Sequence, residues 1–330
     1  MQRKSLFQNF SLLVFLLIIP IFSCALASQS GYQIKKLNQR ELQNISALSE
    51  SYGYIRYFYP NPTVKDFDWT KFLMYAVNKL ENVGNDKELG IELQKLFSPI
   101  CPNIRFTKDS MVTSTSIIEP PYYIMEHKGI GSLAATNQGK EYTSVQHVER
   151  HEDGLSFYKD MYNFRLKESL YILFPMSIKQ LPIKTKSFVE LDSAIQKIKF
   201  NGMGLKNLFK KDKNPSYFFM NPDYRIADII IRRNIIQHFY PYFKEDHLDR
   251  VWDEECQKAI QEVSLCQGTS SYYDAICQLM SHVKDSHINV YPDFGIGKIG
   301  GYIPTYYPDI NIGFVGDTCY VKQMEKIYQE

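Results

Sequence analysis

Hydrophobic positions recur with helical spacing in two stretches of the chain, and the two stretches are rough copies of one another. In the first, Leu42, Ile45, Leu48, Tyr52 and Ile55 fall on one helical face. Asn38 with Glu41 three residues on predicts a capping-box start, and Pro60 and Pro62 a stop. Asp68 can cap a second helix carrying Phe72, Leu73, Ala76, Val77 and Leu80. Asn85 with Glu88 starts a third, carrying Leu89, Leu93, Leu96 and Phe97, and Pro99 and Pro102 close the module. In the second stretch, Ile226, Ile229, Ile230, Ile231, Ile235 and Ile236 cover most of a helix circumference, which predicts burial on several sides. Pro241 ends that run. A helix with Trp252, Cys256, Ala259, Ile260 and Val263 follows, then one started by Ser271 and Asp274 with Tyr272, Ile276, Cys277, Met280 and Val283. The duplication is read from Ile55-Arg-Tyr-Phe-Tyr-Pro60 against Ile236-Gln-His-Phe-Tyr-Pro241, with the only two tryptophans, Trp69 and Trp252, downstream of each.

Between the copies the period changes from helical to alternating. Leu170, Ile172, Phe174, Met176 and Ile178 share one face of a predicted strand. Further strands are expected near Val112–Ile118, Tyr122–Met125, Thr143–Val148 and Phe157–Leu166, with a short helix over Leu191–Ile198 and loop over 201–222. The tail turns β-like again around Gly300-Gly301, Ile312-Gly-Phe-Val315 and Tyr320-Val321. The expected fold class is α+β: two related helical units flanking a β-rich, sandwich-like insert, with a truncated β-containing C-terminal segment. The expected divisions are 1–27, 38–102, 103–223, 224–287 and 288–330.

Composition narrows the setting. The 330 residues are 44% hydrophobic and 22% charged, enough for two or three ordinary globular domains. A formal charge of +2 argues against nucleic acid as a partner, and Lys206, Lys210, Lys211 and Lys213 read as a solvated loop. Arg3 and Lys4, the apolar run Leu12 to Phe22 and the small-residue site Ala25-Leu26-Ala27 form a secretory signal, too short to span a bilayer. Cys24 in Ile21-Phe22-Ser23-Cys24 loosely matches a lipid-attachment site, so cleavage after Ala27 and lipid anchoring both stand, with simple cleavage preferred. Cleavage leaves Cys101, Cys256, Cys266, Cys277 and Cys319, an odd number without a zinc-type spacing. Cys256 and Cys277 read as small hydrophobes on helix faces.

The chemistry-bearing candidates are few. Ser286-His287 follows the last predicted helix, where the imidazole can act as a general base and the serine can orient it or cap local backbone. His147 and His151, with Glu149 and Glu152 nearby, have helical metal-pair spacing, but their stretch reads as strand or loop and lacks an evident third ligand. His238 occupies the position of Tyr57 in the other copy and reads as packing. There is no Gly-x-Ser-x-Gly elbow, phosphate loop or dinucleotide fingerprint. No cofactor and no metal are expected.

Three blocks carry a family resemblance. They are Ser51-Tyr-Gly-Tyr-Ile-Arg-Tyr-Phe58 with Asp68-Trp69-Thr-Lys-Phe72; His127-Lys-Gly-Ile-Gly131; and Arg225 to Phe243 with Trp252 and Asp285-Ser286-His287. Together they resemble the region preceding the catalytic core in tail-specific, or C-terminal processing, serine peptidases of the tricorn-like type. The likeness spans roughly residues 40–325 and is nearest to large exported forms from Bacteroidetes-type bacteria. It implies peptide-bond hydrolysis by serine acyl transfer, a peptide or protein substrate, and His287 with Ser286 as the base pair. It also implies an α/β core bearing the nucleophile, and a serine followed by small residues and Glu is missing from these residues. The chain alone is therefore expected to be inactive, its missing C-terminal half truncated or encoded separately. A periplasmic or extracellular location follows. The alternative is a non-enzymatic cell-envelope binding module for glycan or peptide.

Overall fold

Asn38, Asp68 and Asn85 each start a helix, as their side chains dictate. The computed structural model describes residues 33–64, 67–108, 119–128, 145–152, 161–197, 199–200, 203–204, 220–285, 290, 310–315 and 318–324. Helix α1 (Gln39–Phe58) opens on a full capping box, with the Glu41 amide donating to Asn38 Oδ1 at 2.9 Å and the Asn38 amide to the Glu41 carboxylate at 2.7 Å. Helix α2 (Trp69–Lys79) begins with the Lys71 amide on Asp68 Oδ1 at 3.0 Å. Helix α3 (Asp86–Phe97) begins with the Glu88 amide on Asn85 Oδ1 at 3.0 Å. Each cap stabilises its helix by about 1 kcal/mol. After the β region come α4 (Lys186–Lys197), α5 (Pro222–Phe239), α6 (Leu248–Leu265) and α7 (Thr269–Met280). No helix among the described residues is long and apolar enough to cross a membrane.

The two copied helices, α1 and α5, lie side by side and run in the same direction. At their start, Lys35 Nζ meets Asp223 Oδ1 at 2.7 Å, and the Gln33 amide donates to the Met220 carbonyl at 3.0 Å. Midway, the Asn234 amide nitrogen donates to the Ser49 carbonyl at 3.0 Å, the Ser49 hydroxyl at 3.1 Å and the Ile230 carbonyl at 2.9 Å. At their end, the Tyr57 and His238 rings are 6.0 Å apart. The alignment that pairs Pro60 with Pro241 also pairs Gly53 with Asn234 and Tyr57 with His238. The helices therefore touch through equivalent positions, as in an isologous contact. The contacts are reciprocal: Tyr57 packs edge-on to Phe239 at 5.0 Å, and Phe58 edge-on to His238 at 5.1 Å.

The crossing is close because position 53 has no side chain. A Cβ added to Gly53 would sit 1.9 Å from Asn234 Oδ1 and 2.8 Å from its Cγ. Any larger residue would displace the Asn234 and His238 side chains and break the Asn234 bonds to Ser49.

The copies keep the same order of three helices, yet they share one core. Both α2 and α6 pack most extensively on α5. The tryptophans part company: Trp69 is the first residue of α2, whereas Trp252 is inside α6 and donates to the Arg233 carbonyl at 3.1 Å. The several-sided burial of α5 is real, but charged groups take part of it. Arg225 is 0% exposed and donates to the carbonyls of Val263, Gln33 and Ser264. Ile235, expected inside, is 44% exposed.

The insert forms two three-stranded antiparallel sheets. One has the order β1 (Arg105–Thr107), β5 (Leu170–Phe174), β4 (Tyr162–Lys167); the other has β3 (Val145–His151), β2 (Tyr122–Lys128), β6 (Ser177–Ile178). Both find cover on the helices. In the first sheet Tyr54 of α1 stacks on Phe164 at 4.3 Å and Phe97 of α3 meets Phe106 at 6.3 Å; in the second the His127 ring of β2 lies 4.8 Å from Phe239 of α5. The alternating run from Leu170 to Ile178 does not stay in one strand. It breaks at Pro175, which has no amide to donate, and Ile178 then pairs with Tyr123 in the other sheet. The short pair β7 (Lys199–Phe200) and β8 (Met203–Gly204) follows α4. The expected strand at 112–118 lies outside the described residues. The chain divides into two units before Pro292, and the described residues of the second unit form an antiparallel pair, β9 (Ile310–Val315) and β10 (Thr318–Met324), irregular between Val321 and Gln323.

If the Gly53–Asn234 approach sets the helix spacing, Gly53→Ala lowers unfolding free energy by about 1–3 kcal/mol despite alanine's better helix propensity. The Gly53→Ala/Asn234→Ala double variant is then less destabilised than the sum of the two single changes by at least about 1 kcal/mol in urea unfolding. Additive losses would show that the two positions do not constrain each other.

Candidate functional site

Ser286 and His287 lie outside the described residues, but both flanks of their segment are held. Helix α7 ends at Met280, and the Ser281 amide donates to the Cys277 carbonyl at 2.9 Å. Val283 is buried, and the His282 ring faces the Glu255 carboxylate at 3.3 Å. On the far flank the Tyr273 hydroxyl donates to the Val290 carbonyl at 3.1 Å. The charge of Asp285 is felt at the end of α5. The Tyr240 phenol there is pushed up to about 12 by burial, by its 2.6 Å bond to Asp246, and by the negative charges of Asp246 and Asp285. Tyr240 belongs to the duplicated Phe-Tyr-Pro block, so both ends of this segment connect to the second helical unit.

A second constellation forms where α1, α5 and β2 meet. His127 Nε2 donates to the Tyr57 carbonyl at 2.6 Å, a bond that fixes the proton on that nitrogen because the carbonyl can only accept. The His127 ring lies 4.8 Å from Phe239. Burial lowers its pKa, the nearby Arg56 and His147 lower it further, and the Tyr57 carbonyl acts the other way. Burial, then Arg233 and His127, bring His238 down to about 4. An imidazole that holds its proton so weakly is neutral at physiological pH and a poor proton acceptor. His238 therefore acts as an aromatic packing group against Phe58, Tyr54 and Tyr57.

Beside it, the Arg233 guanidinium bonds Asp253 at 2.6 Å and stands 3.6 Å from Glu50. Burial pushes Glu50 up to about 7; Arg233 opposes this and Asp253 adds to it. Asp253 holds the closer position, so Glu50 stays weakly paired. The sequence gives no local sign of this network, because its members come from three helices.

A cleft of about 880 Å³ opens where β5 hands over to β6. Tyr59, Ile104, Leu173, Pro175, Ile178 and Pro182 are among its lining residues, and Ile183, also lining it, is 78% exposed. Its lining mixes aliphatic and proline side chains with polar groups such as Arg105, Lys179 and Gln180, a mixture that suits an extended peptide. On the β2–β3 pair, Glu126 lies directly opposite His147. It is the ligand-type neighbour absent from the sequence reading of His147 and His151, and only strand pairing reveals it. Cys101, Cys256 and Cys266 are buried free thiols, and Cys277 is half-buried.

Compared with known proteins, the chain matches no family model, no curated protein and no solved structure.

Between about pH 4 and 6.5, unfolded His238 binds a proton that folded His238 refuses, so its stabilising contribution is complete above 6.5 and lost as pH falls toward 4. Glu50 runs the opposite way, binding its proton more tightly folded than unfolded between 4.5 and about 7. Replacing His238 isolates its share. Between pH 7 and 4.5, wild type loses about 2 kcal/mol of unfolding free energy relative to His238→Phe, measured by urea denaturation. Parallel pH profiles would contradict the burial of that imidazole.

Proposed function

We propose that this chain is the leading region of an exported serine peptidase similar to the tail-specific type. Residues 1–27 act as the export leader, and His287, oriented by Ser286, is the general base. The observation that supports this reading is that the described residues on both sides of 286–289 interact with the second helical unit. On one flank the Asp285 charge acts on Tyr240, and on the other the Tyr273 hydroxyl holds the Val290 carbonyl. A base must be held in place to within a fraction of an ångström, and it is best carried on rigid elements. Here those elements are α5, which bears family-like residues, and α7. The work of the helical units is then positional. Attack on the peptide carbonyl belongs to a serine in an α/β core, and the proton passes from that hydroxyl to the His287 imidazole and on to the leaving amine.

A second reading is favoured by the mixed aliphatic and polar cleft where β5 passes into β6, which fits a non-enzymatic grip on an extended peptide. The two readings differ in what His287 does. Joined to a serine-bearing α/β core of the tail-specific type, the chain supports hydrolysis of an unstructured peptide in a serine-inhibitor-sensitive manner. His287→Ala then lowers kcat/KM by about 10²–10⁴-fold with little change in peptide binding. Full activity in His287→Ala would overturn the base assignment. Peptide binding without hydrolysis would favour the binding module.

A further inference from the structure

We propose that the β2–β3 strand pair holds a binding site for one divalent transition-metal ion of the zinc class, with His147, Glu126 and Glu149 as ligands and His151 positioning one of them. Antiparallel pairing sets Glu126 directly across from His147, and Glu149, two residues further along β3, faces the same side. The His147 nitrogen and one carboxylate oxygen from each glutamate lie within 4.8 Å of one another.

The separations fit shared coordination better than hydrogen bonding. His147 Nε2 is 3.2 Å from Glu149 Oε2 and 3.6 Å from Glu126 Oε2. An N–H···O hydrogen bond prefers about 2.9 Å. Ligand atoms about 2.0–2.1 Å from a tetrahedral ion are held about 3.3 Å apart. Both ring nitrogens of His147 are shut off from solvent, and neither makes a hydrogen bond. Buried imidazole nitrogens without a partner are costly in a native protein, and coordination satisfies one of them.

Charge and ligand type select the ion. Two carboxylates neutralise a divalent cation, and the neutral imidazole favours zinc-like ions over magnesium or calcium, which take oxygen ligands. The side chains are 28–43% exposed, so a bound ion keeps a position open to water or a small anion. His151 Nε2 stands 3.5 Å from the other oxygen of Glu126, and its ring stacks flat on Tyr122 at 5.4 Å and 11°. His151 Nε2 makes no hydrogen bond at this separation, and a shift of a few tenths of an ångström on ion binding would give it the bond by which an outer partner orients a ligating carboxylate.

The test is calorimetric titration of the purified, chelator-stripped chain with ZnCl2 at pH 7.5. One ion per chain is expected, with a rise in thermal midpoint on saturation. His147→Ala and Glu149→Gln each weaken binding by at least about 100-fold, and His151→Ala by about 10-fold. His247→Ala, at an exposed histidine elsewhere on the surface, leaves binding unchanged. Far-ultraviolet circular dichroism checks that each variant folds, and Glu149→Gln, at the most exposed ligand, gives the deciding result should His147→Ala not fold. Absence of saturable zinc binding by the folded chain, or binding unaltered in Glu149→Gln, would overturn the site. So would an equal loss in His247→Ala.

Discussion

The close parallel contact of α1 and α5 is the constraint on which the rest of the first unit depends. Two helices can approach this far only where one of them has no side chain, and Gly53 supplies that gap opposite Asn234. The approach lets Asn234 reach the backbone of the facing helix. That bond substitutes a buried polar link for part of the apolar packing, and its geometry fixes the register between the copies. Once the pair is in register, both Phe-Tyr-Pro blocks arrive at the same end. Tyr57, Phe58, His238 and Phe239 form an aromatic seam there, and β2 docks on it through His127. Helices α2 and α6 find α5 already placed and pack on it.

The buried charges belong to the same design. Arg225 ties the start of α5 to the end of α6 and to the segment before α1, with its donors on three carbonyls. Asp223 and Lys35 join the two helix starts, and Glu81 adds a second carboxylate to Lys35. Arg233 joins α5 to both α1 and α6. Charges this deep contribute less to stability than to uniqueness of packing, since a slip of one turn leaves each of them unpaired. The duplicated helices are thus held by polar contacts at their start, their middle and near their end, with apolar side chains filling the space between.

Signals acting within a few residues of the backbone were the more legible, although Ser271 and Asp274 do not start α7, which begins at Thr269 behind Gly268 with no side-chain cap. Asn38, Asp68 and Asn85 mark helix starts because a capping side chain acts on the backbone within three residues. The duplicated Ile-x-x-Phe-Tyr-Pro motif revealed two similar helices for the same reason. That they lie against each other through equivalent positions was not legible, because Gly53 reads as an ordinary helix-weakening residue until its neighbour is known. The alternating run from Leu170 to Ile178 looked like one strand, but Pro175 divides it between two sheets. His147 and His151 looked like an incomplete metal pair, since the residue completing the cluster, Glu126, sits on another strand. The glutamate at position 50 carried no signal at all: its displaced titration comes from burial among α1, α5 and α6.

Hydrogen exchange of individual backbone amides tests the central structural claim most directly. If α1 and α5 form one interlocked element, amides from Leu48 to Ile55 and from Ile229 to Ile236 exchange only through global unfolding, with the same free energy. Opening of either helix about 2 kcal/mol or more below the other would contradict the account, because each would then be folding without its copy.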